Sequence, residues 1–103
     1  MVFQEEELPS HFYLLESGFV KVFQQTEHGQ AITLALFKPG DIFGLAEIIM
    51  QHNYRQRCAA SLTEITYYAV TAEQLLNLLD EKPELWQSIS RLMAQRLIYT
   101  QNL

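Results

Sequence analysis

Residues 39–57 read PGDIFGLAEIIMQHNYRQR, and the rest of the chain is organised around them. Pro39 and Gly40 are typical of a tight turn, because proline fixes φ and glycine accepts the positive φ of a type II turn. Gly44 ends the short strand-like run that follows this turn. A glycine at such a point lets another group approach the backbone closely.

A short helix and two arginines follow Gly44. Residues 45–50 are apolar except for Glu47 and predict a short helix, after which a polar loop leads to Arg55 and Arg57. A helix opened by glycine presents free N–H groups, and a nearby arginine adds a fork of donors. The stretch therefore predicts an anion site. The alternative is a hairpin, a surface helix and two solvated arginines.

Composition restricts the class of protein. The 103 residues are 49% hydrophobic, which fits one domain with a small core. No apolar run is long enough to span a membrane, and the acidic start lacks the basic region of a signal peptide. We therefore expect a cytoplasmic protein. The net charge of −5 argues against nucleic-acid binding by this segment.

Metal and cofactor chemistry is not expected. A single cysteine, Cys58, excludes an internal disulfide and an all-cysteine metal site within one chain. His11, His28 and His52 are scattered without the spacing of metal ligands. We expect Cys58 to be a small core residue and the histidines to be surface or hydrogen-bonded side chains.

Short strand patterns dominate the chain up to residue 70. In the second of them Val20 and Val22 point to one face, and Phe19, Lys21 and Phe23 point to the other. Short strands followed by terminal helices predict an antiparallel β-roll or barrel with a helical appendage. The predicted strands span residues 11–17, 19–25, 31–37, 58–62 and 65–70.

Two helices are predicted near the end of the chain. Thr71 and Gln74 form a capping box before a leucine-rich helix, and Pro83 precedes a second helix over residues 84–101. The second helix carries two apolar rows, which favours contact with the same helix of another copy. The alternative is a single wide stripe that packs on its own domain. The predicted interface residues are Leu85, Trp86, Ile89, Leu92, Met93 and Leu97.

Two segments resemble a known family. Residues 12–22, FYLLESGFVKV, resemble a signature of cyclic-nucleotide-binding domains, and residues 34–44, LALFKPGDIFG, resemble that family's second glycine–aspartate turn. Arg55 stands where the family's phosphate-binding arginine would. The chain is similar to the sensor domain of the bacterial Crp/Fnr family of transcription regulators. The resemblance implies a mainly-β fold, a double-stranded β-helix (jelly roll) with a short cassette helix and C-terminal helices.

The resemblance also implies a division of the chain. Residues 1–83 would form the β-roll, its cassette helix and the first C-terminal helix, and residues 84–103 would begin the dimerisation helix. The family's DNA-binding domain is absent from these residues, so we expect DNA contact only through a domain missing here. The chain would be part of a longer regulator.

The ligand site departs from the family pattern at Leu45. Members that bind cyclic AMP have a glutamate there, which accepts the ribose 2′-hydroxyl. Glu47 lies about 200° further around a helix and does not simply replace that glutamate. We therefore expect no cofactor and at most weak binding of cyclic AMP. The ligand-binding residues that the resemblance implies are Gly44, Leu45, Ala46, Glu47, Arg55, Gln56 and Arg57, with Arg55 favoured over Arg57.

We expect an effector-sensing, homodimeric domain without enzymatic activity. A small anionic effector would change the conformational preference of the cassette helix and the last helix, and the last helix would reorient a DNA-binding domain of the parent protein. One alternative is a cupin-type metal-dependent enzyme, which needs histidines and a carboxylate that converge on a metal. Another is a ligand-free dimerisation module.

Overall fold

The computed structural model describes residues 1–101, and the side chains of residues 1–96. The predicted interface residue Leu97 therefore lies outside the described side chains. The elements, in chain order, are β1 (His11–Ser17), β2 (Val20–Gln25), β3 (Ala31–Phe37), β4 (Ile42–Phe43), α1 (Ala46–Ile49), β5 (Cys58–Ser61), β6 (Thr66–Thr71), α2 (Ala72–Glu81) and α3 (Leu85–Gln101).

The strands form two antiparallel three-stranded sheets, with the orders β4-β1-β6 and β3-β2-β5. The chain changes sheet at the β1–β2, β3–β4, β4–β5 and β5–β6 connections, and only β2 and β3 are consecutive strands of one sheet. The mainly-β prediction is confirmed. In addition, Phe3 forms an isolated bridge with Ala59, which brings the N-terminal segment alongside β5.

The β1–β2 turn requires a glycine. Gly18 has a φ of +82°, and a Cβ there would lie 2.3 Å from the carbonyl oxygen of Glu64. The amide of Leu62 donates to the carbonyl of Phe19 over 2.8 Å. The turn from β1 to β2 therefore packs directly against the turn from β5 to β6.

The core lies between the two sheets. Leu15 from β1, Val20 from β2, Phe43 from β4 and Ala59 from β5 are each at most 1% exposed. Phe3 joins them and is 4% exposed. Leu15 lies between exposed residues of β1, as expected for a strand with one buried face, whereas Ala59 adjoins the buried Cys58 in β5.

The alternation predicted for β2 agrees with the structure, because Val20 and Val22 belong to the core cluster, whereas Lys21 places its Nζ 5.0 Å from the centroid of the Phe23 ring. Phe23 is 6% exposed, and Val22 beside it is also buried. The pairing of β2 with β3 shifts register between these two residues. The pairing of β2 with β5 continues without a shift through Val22 and Phe23, so the extra residue is Leu34 of β3.

The chain divides into two compact units, Met1–Ala72 and the remainder from Glu73 onward. The first unit contains all six strands and α1, and the second contains α2 and α3. The predicted division at residues 83 and 84 stays a prediction. In α2, Leu75 and Leu79 are buried. Within the described part of the chain, no helix combines the length and the hydropathy that crossing a bilayer requires.

Candidate functional site

A type II turn leads into the candidate site. The amide of Asp41 donates to the carbonyl of Lys38 over 3.0 Å, and Gly40 has the positive φ, +93°, that this turn requires. The carboxylate of Asp41 accepts from the amide of Lys38 at 2.9 Å. The turn sends the chain into β4, where Phe43 pairs with Tyr13 of β1.

Gly44 follows β4 in a position that strongly favours glycine. Its φ is +78°. A Cβ there would lie 3.1 Å from the Phe3 ring, 3.2 Å from the Tyr13 ring and 3.3 Å from Nη1 of Arg55. Because Gly44 lacks a side chain, the Arg55 guanidinium reaches its carbonyl oxygen.

The helix after Gly44 is shorter than the predicted span of residues 45–50. Helix α1 covers Ala46–Ile49, with Leu45 at its N-terminal end and no side-chain cap. One turn of helix offers little macrodipole, so α1 alone makes a weak anion site. Leu45 is 4% exposed and Ile48 is 5% exposed, and these apolar side chains hold α1 against the fold.

Arg55 is the centre of the site. Its side chain is 1% exposed. Nη1 donates to the carbonyl of Gly44 at 2.7 Å and to Oε1 of Glu47 at 3.1 Å, and Nη2 donates to the carbonyl of His11. The guanidinium carbon lies 4.1 Å from the centroid of the Phe3 ring, which is a cation–π contact.

Glu47 uses both of its carboxylate oxygens. Oε1 accepts from Arg55, and Oε2 accepts from the backbone amide of Gln56 at 3.1 Å. The residue is 8% exposed, so both members of the ion pair are buried. Loss of one partner would leave an uncompensated buried charge, and this makes the pair strongly interdependent.

The N-terminal segment closes over Arg55. The amide of Arg55 donates to the carbonyl of Glu7 at 2.7 Å, and its carbonyl accepts from the amide of Glu6 at 2.8 Å. The Phe3 ring lies beside the guanidinium of the same residue. Backbone and side chain of Arg55 are therefore both held by residues that sequence analysis did not assign to the site.

Tyr13 completes the aromatic surroundings of Gly44. Its ring centroid lies 5.1 Å from that of Phe43 and 5.3 Å from that of Tyr67. Burial raises the pKa of the Tyr13 hydroxyl above its ordinary value of 10.0, and the Arg55 guanidinium partly opposes this rise. The tyrosine is therefore neutral throughout the physiological pH range.

The structure brings together some of the predicted ligand residues and separates others. Gly44, Glu47, Arg55 and the amide of Gln56 form one hydrogen-bonded group. Leu45 is part of the buried apolar set, whereas Ala46 and the side chains of Gln56 and Arg57 are exposed. Two arginines separated by a single residue thus occupy opposite environments.

Sequence analysis missed Phe3 and the His11 carbonyl. The only signal for Phe3 was its apolar character in a possible strand. A backbone carbonyl such as that of His11 leaves no signal in a sequence. Among the described residues, no group of three or more histidine, cysteine, aspartate and glutamate side chains is arranged to hold a metal.

A sequence model of the family described as "Cyclic nucleotide-binding domain" matches residues 1–82. The chain belongs to this family. It is 29% identical to the CRP-like cAMP-activated global transcriptional regulator of Mycobacterium tuberculosis over 98% of this chain and 45% of that protein. It is 30% identical to the cyclic AMP receptor protein of Thermus thermophilus over 93% of this chain and 44% of that protein.

Solved structures of the same fold agree with this assignment. The catabolite activator protein of Thermus thermophilus superposes with a TM-score of 0.82 at 29% identity, over 97% of this chain and 46% of that one. The sensor domain of the regulator DNR from Pseudomonas aeruginosa superposes with a TM-score of 0.83 at 23% identity, over 98% of this chain and 67% of that one. The predictions of the Crp/Fnr family and of the jelly-roll fold are confirmed. This cyclic nucleotide-binding domain spans less than half the length of the two curated relatives named above.

Proposed function

We propose that this cyclic nucleotide-binding domain senses a small anionic effector and dimerises as part of a Crp/Fnr-like transcription regulator. It would control, allosterically, a DNA-binding domain elsewhere in the parent protein. The observation that carries the proposal is the buried Arg55 guanidinium, which is bonded directly to Gly44 and to Glu47 of α1. The curated relatives are transcription regulators, so we propose no enzymatic activity and a cytoplasmic location.

The contacts of Arg55 suggest how an effector would act. An anion that binds the guanidinium competes with the Gly44 carbonyl and the Glu47 carboxylate for the same donors. Both acceptors lie at or on α1, so effector binding changes what holds this helix. An effector can shift the equilibrium between two conformations of the domain only to the extent that it binds one conformation more tightly than the other.

Helix α3 supports the proposed homodimer. Leu85, Ile89, Leu92 and Met93 are only half-buried, and Trp86 is 42% exposed. None of the described side chains of α3 is buried within this chain. Association with α3 of a second copy would remove this apolar surface from water.

The ligand-binding part of the proposal is tested on the unmutated chain. A panel of cyclic nucleotides and other small phosphates and carboxylates is screened by thermal shift, and each hit is titrated by calorimetry. Arg55→Lys keeps the charge but loses the bidentate fork, so it should weaken binding measurably, about tenfold. Arg57→Lys is the matched control, because Arg57 is exposed, and it should have a smaller effect.

Equal losses at the two positions would indicate a diffuse basic surface and would contradict an effector site centred on Arg55. A larger loss at Arg57 would place the anion elsewhere. If no ligand in the panel stabilises the chain, the ligand-free dimerisation module becomes the better description. The fold of both variants is compared by circular dichroism before titration, since Arg55 is buried.

A further inference from the structure

Arg55 already has an anion. Its guanidinium is 1% exposed, and the only carboxylate that the structure shows bonded to it belongs to Glu47, with Nη1 and Oε1 3.1 Å apart. Its other acceptors among the described residues are the uncharged carbonyls of Gly44 and His11. The positive charge is therefore neutralised by a side chain of the same domain, in the place where an external anion would have to bind.

Both oxygens of Glu47 fix this arrangement. Oε2 accepts from the amide of Gln56 at 3.1 Å while Oε1 accepts from Arg55. Glu47 also lies on α1 near two buried apolar residues, with Leu45 two positions before it and Ile48 directly after it. The Glu47 carboxylate is therefore buried and is fixed by two hydrogen bonds, one from Nη1 of Arg55 and one from the amide of Gln56.

We infer that Glu47 is an internal counter-anion, which occupies the anion-binding position of Arg55 until an effector displaces it. This inference rests on the proposed function, because it describes the regulation of the same site. A tethered carboxylate competes at a high effective concentration, so a free anion with no other contacts loses the competition. The chain would then reject simple phosphate and respond only to a ligand that gains further contacts.

The Nε–H of Arg55 is left for such a ligand. Within the part of the chain that the structure describes, Nε of Arg55 is buried and has no hydrogen-bond partner. A buried donor without a partner is unfavourable, particularly on a charged group. An anion with two oxygens can bind a guanidinium through two parallel hydrogen bonds, which the present contacts with Glu47 do not achieve.

The test replaces the internal anion by a neutral isostere. Inorganic phosphate is titrated against the unmutated chain and against Glu47→Gln, with binding followed by calorimetry and thermal shift. Glu16→Gln is the matched control, since Glu16 is exposed on β1 and its substitution makes the same change in net charge. We expect phosphate to bind Glu47→Gln at least about tenfold more tightly than it binds the other two proteins.

A second substitution locates the bound anion. In the double variant Glu47→Gln/Arg55→Lys the gain should be largely lost, because lysine cannot make the bidentate contact. If Glu47→Gln is unfolded in buffer without multivalent anions, refolding on addition of phosphate supports the inference, provided that phosphate does not stabilise Glu16→Gln equally. Failure to refold contradicts it.

Equal phosphate affinity in Glu47→Gln and the unmutated chain, including no binding by either, would overturn the inference. These outcomes leave the proposed function standing, because the ligand panel and the state of association are measured on the unmutated chain. Conversely, a gain in Glu47→Gln with no hit in the panel would support the internal counter-anion and count against effector sensing. The two claims therefore fail separately.

Discussion

Arg55 is held by four groups from three parts of the chain: the N-terminal segment, β1 and the stretch around α1. The Phe3 ring, the carbonyls of His11 and Gly44, and the Glu47 carboxylate all contact its guanidinium. Residues distant in sequence must therefore fold together before the charge is compensated. An arginine buried in this way couples the site to the stability of the whole β-roll.

Gly44→Ala should destabilise the domain. The positive φ costs an alanine about 1–2 kcal/mol, and its Cβ would also press on Phe3, Tyr13 and Arg55 at 3.1–3.3 Å. Gly40→Ala is the control, because Gly40 has a φ of +93° but a Cβ added there would meet no atom within 4 Å. Urea unfolding should show a larger loss in the free energy of unfolding for Gly44→Ala than for Gly40→Ala. Equal losses would mean that the close contacts around Gly44 do not contribute to the destabilisation.

Tyr13 should give the domain a pH-dependent stability at alkaline pH. Burial raises the pKa of its hydroxyl above 10.0 in the folded state, so folding favours the neutral phenol. That contribution is fully present below pH 10.0, the ordinary pKa, and is lost as the pH rises through the higher folded-state pKa. Denaturant unfolding measured as the pH rises above 10.0 should show a smaller decline in the free energy of unfolding for Tyr13→Phe than for the unmutated chain. An identical decline would contradict the role of burial.

Sequence analysis identified Arg55 but not its partner. The family resemblance singled out this arginine, because it stands where the family's phosphate-binding arginine would. Glu47 was considered only as a substitute for the ribose acceptor and judged by its angle on an isolated helix. Its actual partners lie eight and nine positions away across a loop. Loop conformation depends on tertiary contacts, which local periodicity does not encode.

At the scale of elements, α1 depends on its surroundings. A one-turn helix is not stable by itself, because the entropy cost of nucleating a helix exceeds the free energy gained from the hydrogen bonds of a single turn. Leu45 and Ile48 bury α1 against the fold, and Glu47 ties it to the segment that leads into β5. Under the proposed function, α1 would respond to an effector that binds Arg55.

Cyclic AMP should bind this domain weakly or not at all. Leu45 is 4% exposed and offers no acceptor for the ribose, where the family resemblance implies a glutamate in members that bind cyclic AMP. Loss of a buried hydrogen bond to a charged group costs on the order of 1.5–3 kcal/mol, which is about ten- to a hundredfold in affinity. Calorimetry provides the measurement. A micromolar or tighter dissociation constant would mean that another group supplies the missing acceptor.

The bounds of the strands were easier to predict from the sequence than the face of each strand that meets the core. The predicted span of β1, residues 11–17, matches the observed His11–Ser17, because bulky residues bounded by serine and glycine mark both ends. In β3 the residues Ile32 and Leu36 are exposed and Phe37 is buried. Alternation fixes which residues share a face, but it does not say which face meets the core when both are apolar.

At the scale of the molecule, the candidate site and the helix predicted to dimerise lie in different units. The unit Met1–Ala72 contains the whole hydrogen-bonded group around Arg55, whereas α3 belongs to the other unit. A regulator that works through dimerisation needs both. The resemblance predicted the fold and the role of the last helix, but composition alone would have supported only a small mixed domain.

The most direct test is the state of association of the isolated chain, measured by sedimentation equilibrium. We predict a homodimer at tens of micromolar, roughly the range where a modest helical interface holds. Leu92→Glu places a charge among the half-buried apolar residues of α3 and should give a monomer, whereas Gln95→Glu at an exposed position should remain dimeric. A monomeric unmutated chain at these concentrations, or equal association of both variants, would contradict dimerisation through α3.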